Sequence, residues 1–157
     1  MIQICSLRLA KTPMNSDSIQ LYGYLAARDF LDGRLNYVFN RSRDNPLTVQ
    51  KGKLIEMTGP TRGIVIFADV LMEFDMRIKT GEKEEDDLQL IDGVAYFNNR
   101  EYVTSYTLRF SGCHGGALDM RFAHIEYGME AVIEVVTPEV KSAFSLSCFC
   151  FRGVWRN

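Results

Sequence analysis

Apolar and polar residues alternate with a period of two along most of this chain. Between Val70 and Lys79, the residues Val70, Met72, Phe74, Met76 and Ile78 alternate with Glu73, Asp75, Arg77 and Lys79, which predicts a strand with one face buried and the other in water. Ala117 to Glu126 repeats the pattern, with Leu118, Met120, Phe122 and His124 on one face and Asp119, Arg121 and Ala123 on the other. Ser142 to Arg152 sets Phe144, Leu146, Cys148 and Cys150 against Ser145, Ser147, Phe149 and Phe151, so both faces of that strand are largely covered. Further strands are predicted at Ile2 to Ala10, Ile19 to Arg28, Asn36 to Asn40, Leu54 to Met57, Gly63 to Phe67, Leu88 to Phe97, Ser105 to Phe110 and Ala131 to Val136.

Turn signals separate these runs: Asp32-Gly33, Gly59-Pro60, Thr80-Gly81, Asp92-Gly93, Asn98-Asn99 and Gly115-Gly116. Gly128 marks a bulge or a corner. No stretch carries a 3.6-residue period, and Thr137 to Ala143, with Pro138 at a first-turn position, has room for one short helical turn. The fold class is therefore all-β, an antiparallel two-sheet β-sandwich of about nine or ten strands with little or no helix. A length of 157 residues suits one domain covering 1–157.

Composition narrows the function classes. With 46% hydrophobic and 24% charged residues, the chain can build an ordinary core and needs no metal or disulfide to stand. A formal net charge of -2 argues against a broad nucleic-acid footprint, which wants a basic face. Cys5, Cys113, Cys148 and Cys150 are too few for a disulfide scaffold and read as mostly buried free thiols in a reducing compartment. Neither a secretory signal nor a membrane-spanning stretch is legible, so a cytoplasmic or nuclear location is expected. No cofactor is implied.

Residues 22 to 45, YGYLAARDFLDGRLNYVFNRSRDN, concentrate charge of both signs beside aromatic and aliphatic bulk. Three motifs run through this part of the chain: Gly23 through Asp29, Asn36 through Asp44, and Met57-Thr58-Gly59-Pro60-Thr61-Arg62. Together they resemble a domain family of unknown function in grasses (Poaceae), with the pattern Gly-x-x-Ala-x-Arg-Asp, Asn-x-x-Phe-Asn-Arg-x-Arg-Asp and Leu-Thr-Gly-Pro-x-Arg. Met57 stands where the family has Leu, and the likeness loosens after about Gly93. The resemblance implies an all-β domain found alone or C-terminal to ribosome-inactivating N-glycosidase domains, in a setting of stress and defence. It implies no catalytic activity for the domain itself.

Leu25-Ala26-Ala27-Arg28 is one letter from the Glu-Ala-Ala-Arg box of toxins that depurinate ribosomal RNA. The box needs its Glu to stabilise a positive sugar transition state, and here that position is Leu25. The alternation of Leu21, Gly23, Leu25 and Ala27 predicts a strand, whereas the box lies on a helix. The match is accidental, and no catalytic residue is assigned.

The charged cluster has three readings. Arg28, Asp29, Asp32 and Asp44 can form a structural network of Arg-carboxylate pairs that locks two loops at one end of the sandwich, a task that suits bidentate guanidinium forks. Arg34, Arg41, Arg43 and Arg62 can instead line an anion-binding rim for a phosphate, an RNA backbone or an acidic peptide. Calcium on Asp29, Asp32 and Asp44 would need six to eight oxygens and would be opposed by the neighbouring arginines.

Adjacent residues on a strand face opposite ways, so Cys113 and His114 meet only if the neighbouring glycines fold them together. Zinc on Cys113, His114, Cys148 and Cys150 fails because a flat Cys-x-Cys sets its sulfurs ~6–7 Å apart. No metal is assigned. Tyr22, Tyr24, Tyr37, Tyr96, Tyr102, Tyr106 and Tyr127 could stack bases on a sheet, and Trp155 reads equally as a lid or a contact.

The expected activity is that of a non-catalytic module binding a protein partner, with a homodimer through strand edges as one form. An RNA- or ribosome-binding module is the alternative.

Overall fold

A computed structural model describes residues 1–97 and 105–130, together with Glu134, Val136 and Glu139. The turn at Asn98-Asn99, the strands over 131–136 and 142–152, the helical turn over 137–143, and Tyr102, Cys148, Cys150 and Trp155 lie outside the described residues.

Among the described residues nine strands follow in chain order: β1 (Ile2–Lys11), β2 (Ser18–Asp29), β3 (Asp32–Arg41), β4 (Leu47–Gln50), β5 (Leu54–Ile55), β6 (Val70–Lys79), β7 (Leu88–Phe97), β8 (Ser105–Ser111) and β9 (Ala117–His124). They form two antiparallel sheets. The smaller runs β5-β1-β9-β8, and the larger runs β3-β2-β6-β7 with β4 also paired to β2. The fold is the all-β two-sheet sandwich that the alternation predicts. The only helical element among the described residues is a 3-10 turn at Glu84–Asp86.

Alternation builds the core as the pattern requires. On β6, Val70, Met72, Phe74, Met76 and Ile78 are buried, and on β9 so are Leu118, Met120 and Phe122. The sheets meet where Phe74 packs on Phe110 with ring centroids 4.8 Å apart and Phe97 meets Phe122 edge-on at 4.9 Å. β1 shifts register twice against β9, between Ile4 and Ser6 and between Leu9 and Lys11, and the first bulge lets Ile2 and Ile4, then Leu7 and Leu9, all reach the core.

β2 is the axis of the larger sheet. It pairs along one side with β6 from Gln20 to Arg28, and on the other with β4 at its start and β3 at its end. The register passes from Leu21↔Leu47 to Gly23↔Arg41, so residues 42–46 are pushed out of the sheet beside Tyr22. Gly23 permits this. Its φ is +105°, and a Cβ would collide with the carbonyl oxygen of Asp75. Gly23→Ala is therefore expected to destabilise by about 1–3 kcal/mol, as overpacking and a disfavoured φ combine. Chemical denaturation at constant m-value would measure the loss.

Several local readings need correction. The β2–β3 turn is Phe30-Leu31, and Asp32-Gly33 already belong to β3. The cause is Asp29, whose Oδ1 accepts the backbone N–H groups of Leu31 and Asp32 at 3.1 and 3.2 Å, a side-chain turn that brings the reversal forward. Asp92-Gly93 forms no turn either, because both residues pair with β6 inside β7. Gly63 to Phe67 is not a strand beyond one bridge, Ile2↔Ile64, since Val65 N–H is spent on Asp29 and Gly63 N–H on Glu130. β4 is a further strand beyond those the residue pattern predicts, four residues long and paired, among the described residues, only with the start of β2. Cys5 and Cys113 are exposed, not buried: Cys5 sits at the β1 bulge and Cys113 at a hairpin tip.

Candidate functional site

Charged residues from the three motifs enter two clamps on β2, one at its end at Asp29 and one beside Tyr22. Asp29 closes the first. Its side chain is 1% exposed, and Arg62 donates to both carboxylate oxygens, Nη1 to Oδ2 at 2.7 Å and Nη2 to Oδ1 at 3.0 Å. Val65 N–H adds a third contact at 2.8 Å. Arg62 also donates to the carbonyls of Gly63 and Asp32. Burial pushes the Asp29 carboxyl up, but the Arg62 guanidinium with the backbone donors of Val65 and Asp32 outweighs it, and the pKa lies below the ordinary value.

Asn36 extends this clamp. Buried on β3, it donates to Arg62 O at 2.9 Å and accepts from Thr61 N–H at 3.0 Å, while Thr58 and Gly59 donate to Val38 O. The Gly59-Pro60 turn, which holds a cis peptide bond, is thereby fastened along the edge of β3.

The second clamp joins the extruded loop over 42–46 to the loop before β7. Arg43 Nε donates to Asp87 Oδ2 at 2.6 Å and its Nη2 to Oδ1 at 3.3 Å. The same guanidinium reaches the carbonyls of Glu82 and Gly81. Tyr22 hydroxyl donates to Asp87 at 2.7 Å, as does Thr80 N–H at 3.0 Å. The Asp87 side chain is wholly buried. Arg43 draws its pKa well below the usual carboxylate range, against the opposing effect of burial. Burial first, then the bond to Asp87, pushes the Tyr22 phenol up to about 12.

The acidic run Gly81 to Asp87, read from sequence as a solvated loop, is therefore solvated only in part. The side chain of its last residue is buried against Arg43. Nothing in the sequence pairs Asp87 with Arg43 across such a separation, whereas Asn36 and Arg62 were marked by their place in the motifs.

The remaining charges stay at the surface. Arg34, 89% exposed, forms a fork on Asp32 at 2.9–3.1 Å that holds the Asp32 carboxyl down at about 2. Arg28 lies on the solvent side of β2, bonded to Glu73 and to the carbonyl of Gly33, and Leu25 of the same segment is in the core. Arg41 approaches Glu56 at 3.9 Å, with its Nε buried and without a hydrogen-bond partner among the described residues. Asp44 is exposed on the loop over 42–46 and joins neither clamp. The four rim arginines thus do not converge: Arg62 and Arg34 stand at the β2–β3 turn, Arg43 and Arg41 at the opposite end of β3.

The described tyrosines do not assemble into a platform. Tyr22 is buried on Asp87, Tyr24 and Tyr37 pack edge to face at 6.1 Å, and Tyr106 packs on Phe122. Tyr96 and Tyr127 are exposed.

What fold and site together define is an antiparallel two-sheet β protein whose loops are fastened by buried arginine-carboxylate clamps. The chain belongs to the family described as Domain of unknown function (DUF6598), which matches residues 1–153 and so takes in every strand and both clamps. No curated protein and no solved structure matches the chain.

Proposed function

We propose that this chain is a non-catalytic interaction module of plant stress or defence, working by protein-protein contact in the cytoplasm or nucleus and regulating or accompanying ribosome-inactivating domains. The grass setting and that partner rest on the resemblance of the three motifs. Contact as the mode of action rests on the end of the larger sheet. There Phe30 and Leu31 at the β2–β3 tip, Phe67 just before β6, and Tyr96 near the end of β7 are 76%, 69%, 80% and 73% exposed. Exposed aromatic clusters of this kind mark binding surfaces, and aromatic anchors carry most contact energy. The first clamp fixes both loops that present them, so little order is lost on binding.

The rim arginines favour this reading over RNA. Taking Arg62 or Arg43 for a phosphate would strand Asp29 or Asp87 as a buried, unpaired carboxylate. A second copy could use the same apolar end, or the outer strands β7 and β8.

A purified ribosome-inactivating domain is the probe. The double substitution Phe30→Asp/Phe67→Asp, at exposed positions, is expected to keep the melting temperature and to weaken binding by at least about tenfold. Unchanged binding by the double variant would sink the proposal. Affinity for ribosomes or RNA that falls steeply with salt and with Arg34→Ala would replace it by the nucleic-acid reading.

A further inference from the structure

We propose that Cys113 is a site of reversible thiol modification, activated by His114, whose co-reactant is a low-molecular-weight disulfide such as glutathione disulfide. Both residues lie at the tip of the β8–β9 hairpin. Gly112 N–H donates to Gly116 O at 2.9 Å, and Gly115 N–H to Gly112 O at 3.3 Å. Gly115 takes φ +86°, the left-handed residue that a three-residue hairpin loop needs. On a flat strand neighbouring side chains point apart. This turn instead brings Cys113 Sγ to 3.2 Å from His114 Nδ1.

The pair is reachable. Cys113 and His114 are both exposed, and the space where a Gly115 side chain would stand is open. The base of the hairpin is held: side chains at Gly112 or Gly116 would collide with the Leu90 carbonyl of β7. The tip therefore projects from a seated base, where an adduct meets no core residue. Cys5 provides the internal contrast, since it is also exposed but its Sγ faces a carbonyl, Gln3 O at 3.8 Å, which cannot take a proton.

In the reaction, the thiol proton passes to His114 Nδ1 and the thiolate attacks one sulfur of the disulfide. A Cys113–glutathione S–S bond forms as the original S–S bond breaks. The departing glutathione thiolate takes the proton back from the imidazolium and leaves as the thiol. Cys113 is oxidised, one glutathione is reduced, and a reducing thiol reverses the change.

Timed incubation with glutathione disulfide, followed by site-resolved mass spectrometry of the tryptic peptides holding Cys113 and Cys5, tests this. Cys113 should be modified about tenfold faster than Cys5, as expected of a thiol beside a base. His114→Asn should bring Cys113 down to the Cys5 rate and leave Cys5 itself unchanged. Equal rates at the two cysteines of the wild type would overturn the proposal, as would a Cys113 rate that survives His114→Asn. Circular dichroism shows whether the variant is folded, and if it is not, the wild-type ratio decides.

Discussion

Arg62→Ala is expected to lower the stability of the fold by about 3–5 kcal/mol, because it leaves the Asp29 carboxylate buried without its counter-charge. The substitution also removes the side-chain bonds from Arg62 to the carbonyls of Asp32 and Gly63, while the bond from Asn36 to the backbone carbonyl at position 62 stays. The pH dependence gives a second signature. The folded-state pKa of Asp29 lies below its ordinary value, so the stability it contributes is present above the unfolded value and is lost as pH falls through the folded one. Without Arg62 the folded pKa rises and the variant loses less on acidification. The gap between wild type and variant should accordingly be widest near neutrality and narrow below about pH 4. Denaturant midpoints at both pH values measure it. A loss under about 1 kcal/mol, the size of a surface pair, would show that this contact does not fasten the fold. Arg34→Ala, which removes an exposed fork, should leave the midpoint where it is.

Asp87→Ala is expected to cost about 3 kcal/mol, since one carboxylate satisfies Arg43, the Tyr22 hydroxyl and Thr80 N–H together. Coupling separates a clamp from a sum of contacts. Once Asp87 is gone, adding Arg43→Ala should have much less effect than it has in the wild type. Additive losses would mean that the two residues act independently. The alkaline limb is informative as well. Tyr22 is held up to about 12 in the fold against an ordinary 10.0, so the stability linked to it is whole below pH 10 and drains as pH rises toward 12. Asp87→Ala reduces that shift, and the difference between the two proteins should shrink across this window.

Both substitutions act on residues that the sequence placed in different categories. Arg62 stood out through its Gly-Pro turn and could be read as scaffold or as anion site, whereas Asp29 stood out through the charged run and could be read as scaffold or as a calcium ligand. Asp87 was hidden in a tract of like charges. A count of acidic residues cannot show that the last of them turns inward beneath the loop between β3 and β4. Gly23, whose missing side chain lets the Asp75 carbonyl approach, lies where the pairing of β2 passes from Leu47 of β4 to Arg41 of β3, and the loop over 42–46 between those strands carries Arg43 to Asp87.

β6 and β7 run from Val70 to Lys79 and from Leu88 to Phe97, the bounds that the residue pattern predicts; β6, buried on one face, alternates along its whole length, whereas β7 breaks phase at a bulge opposite Met76 and Arg77. Where a side chain rather than a strand satisfies the backbone, pattern fails. Asp29 turned Asp32-Gly33 from a reversal into strand and kept Gly63 to Phe67 out of the sheets by taking the N–H of Val65. The exposed thiols follow the same rule, displaced from the core by a bulge and a hairpin tip.

By itself, then, the order of apolar and polar residues settled the two-layer β architecture and the faces that form its core, since that information is local and repeats every second residue. Which charges are buried, and which arginines are left at the surface, was decided only when strands distant in the chain came together. A carboxylate's partner is set by distance in space, and no periodicity along the chain encodes it.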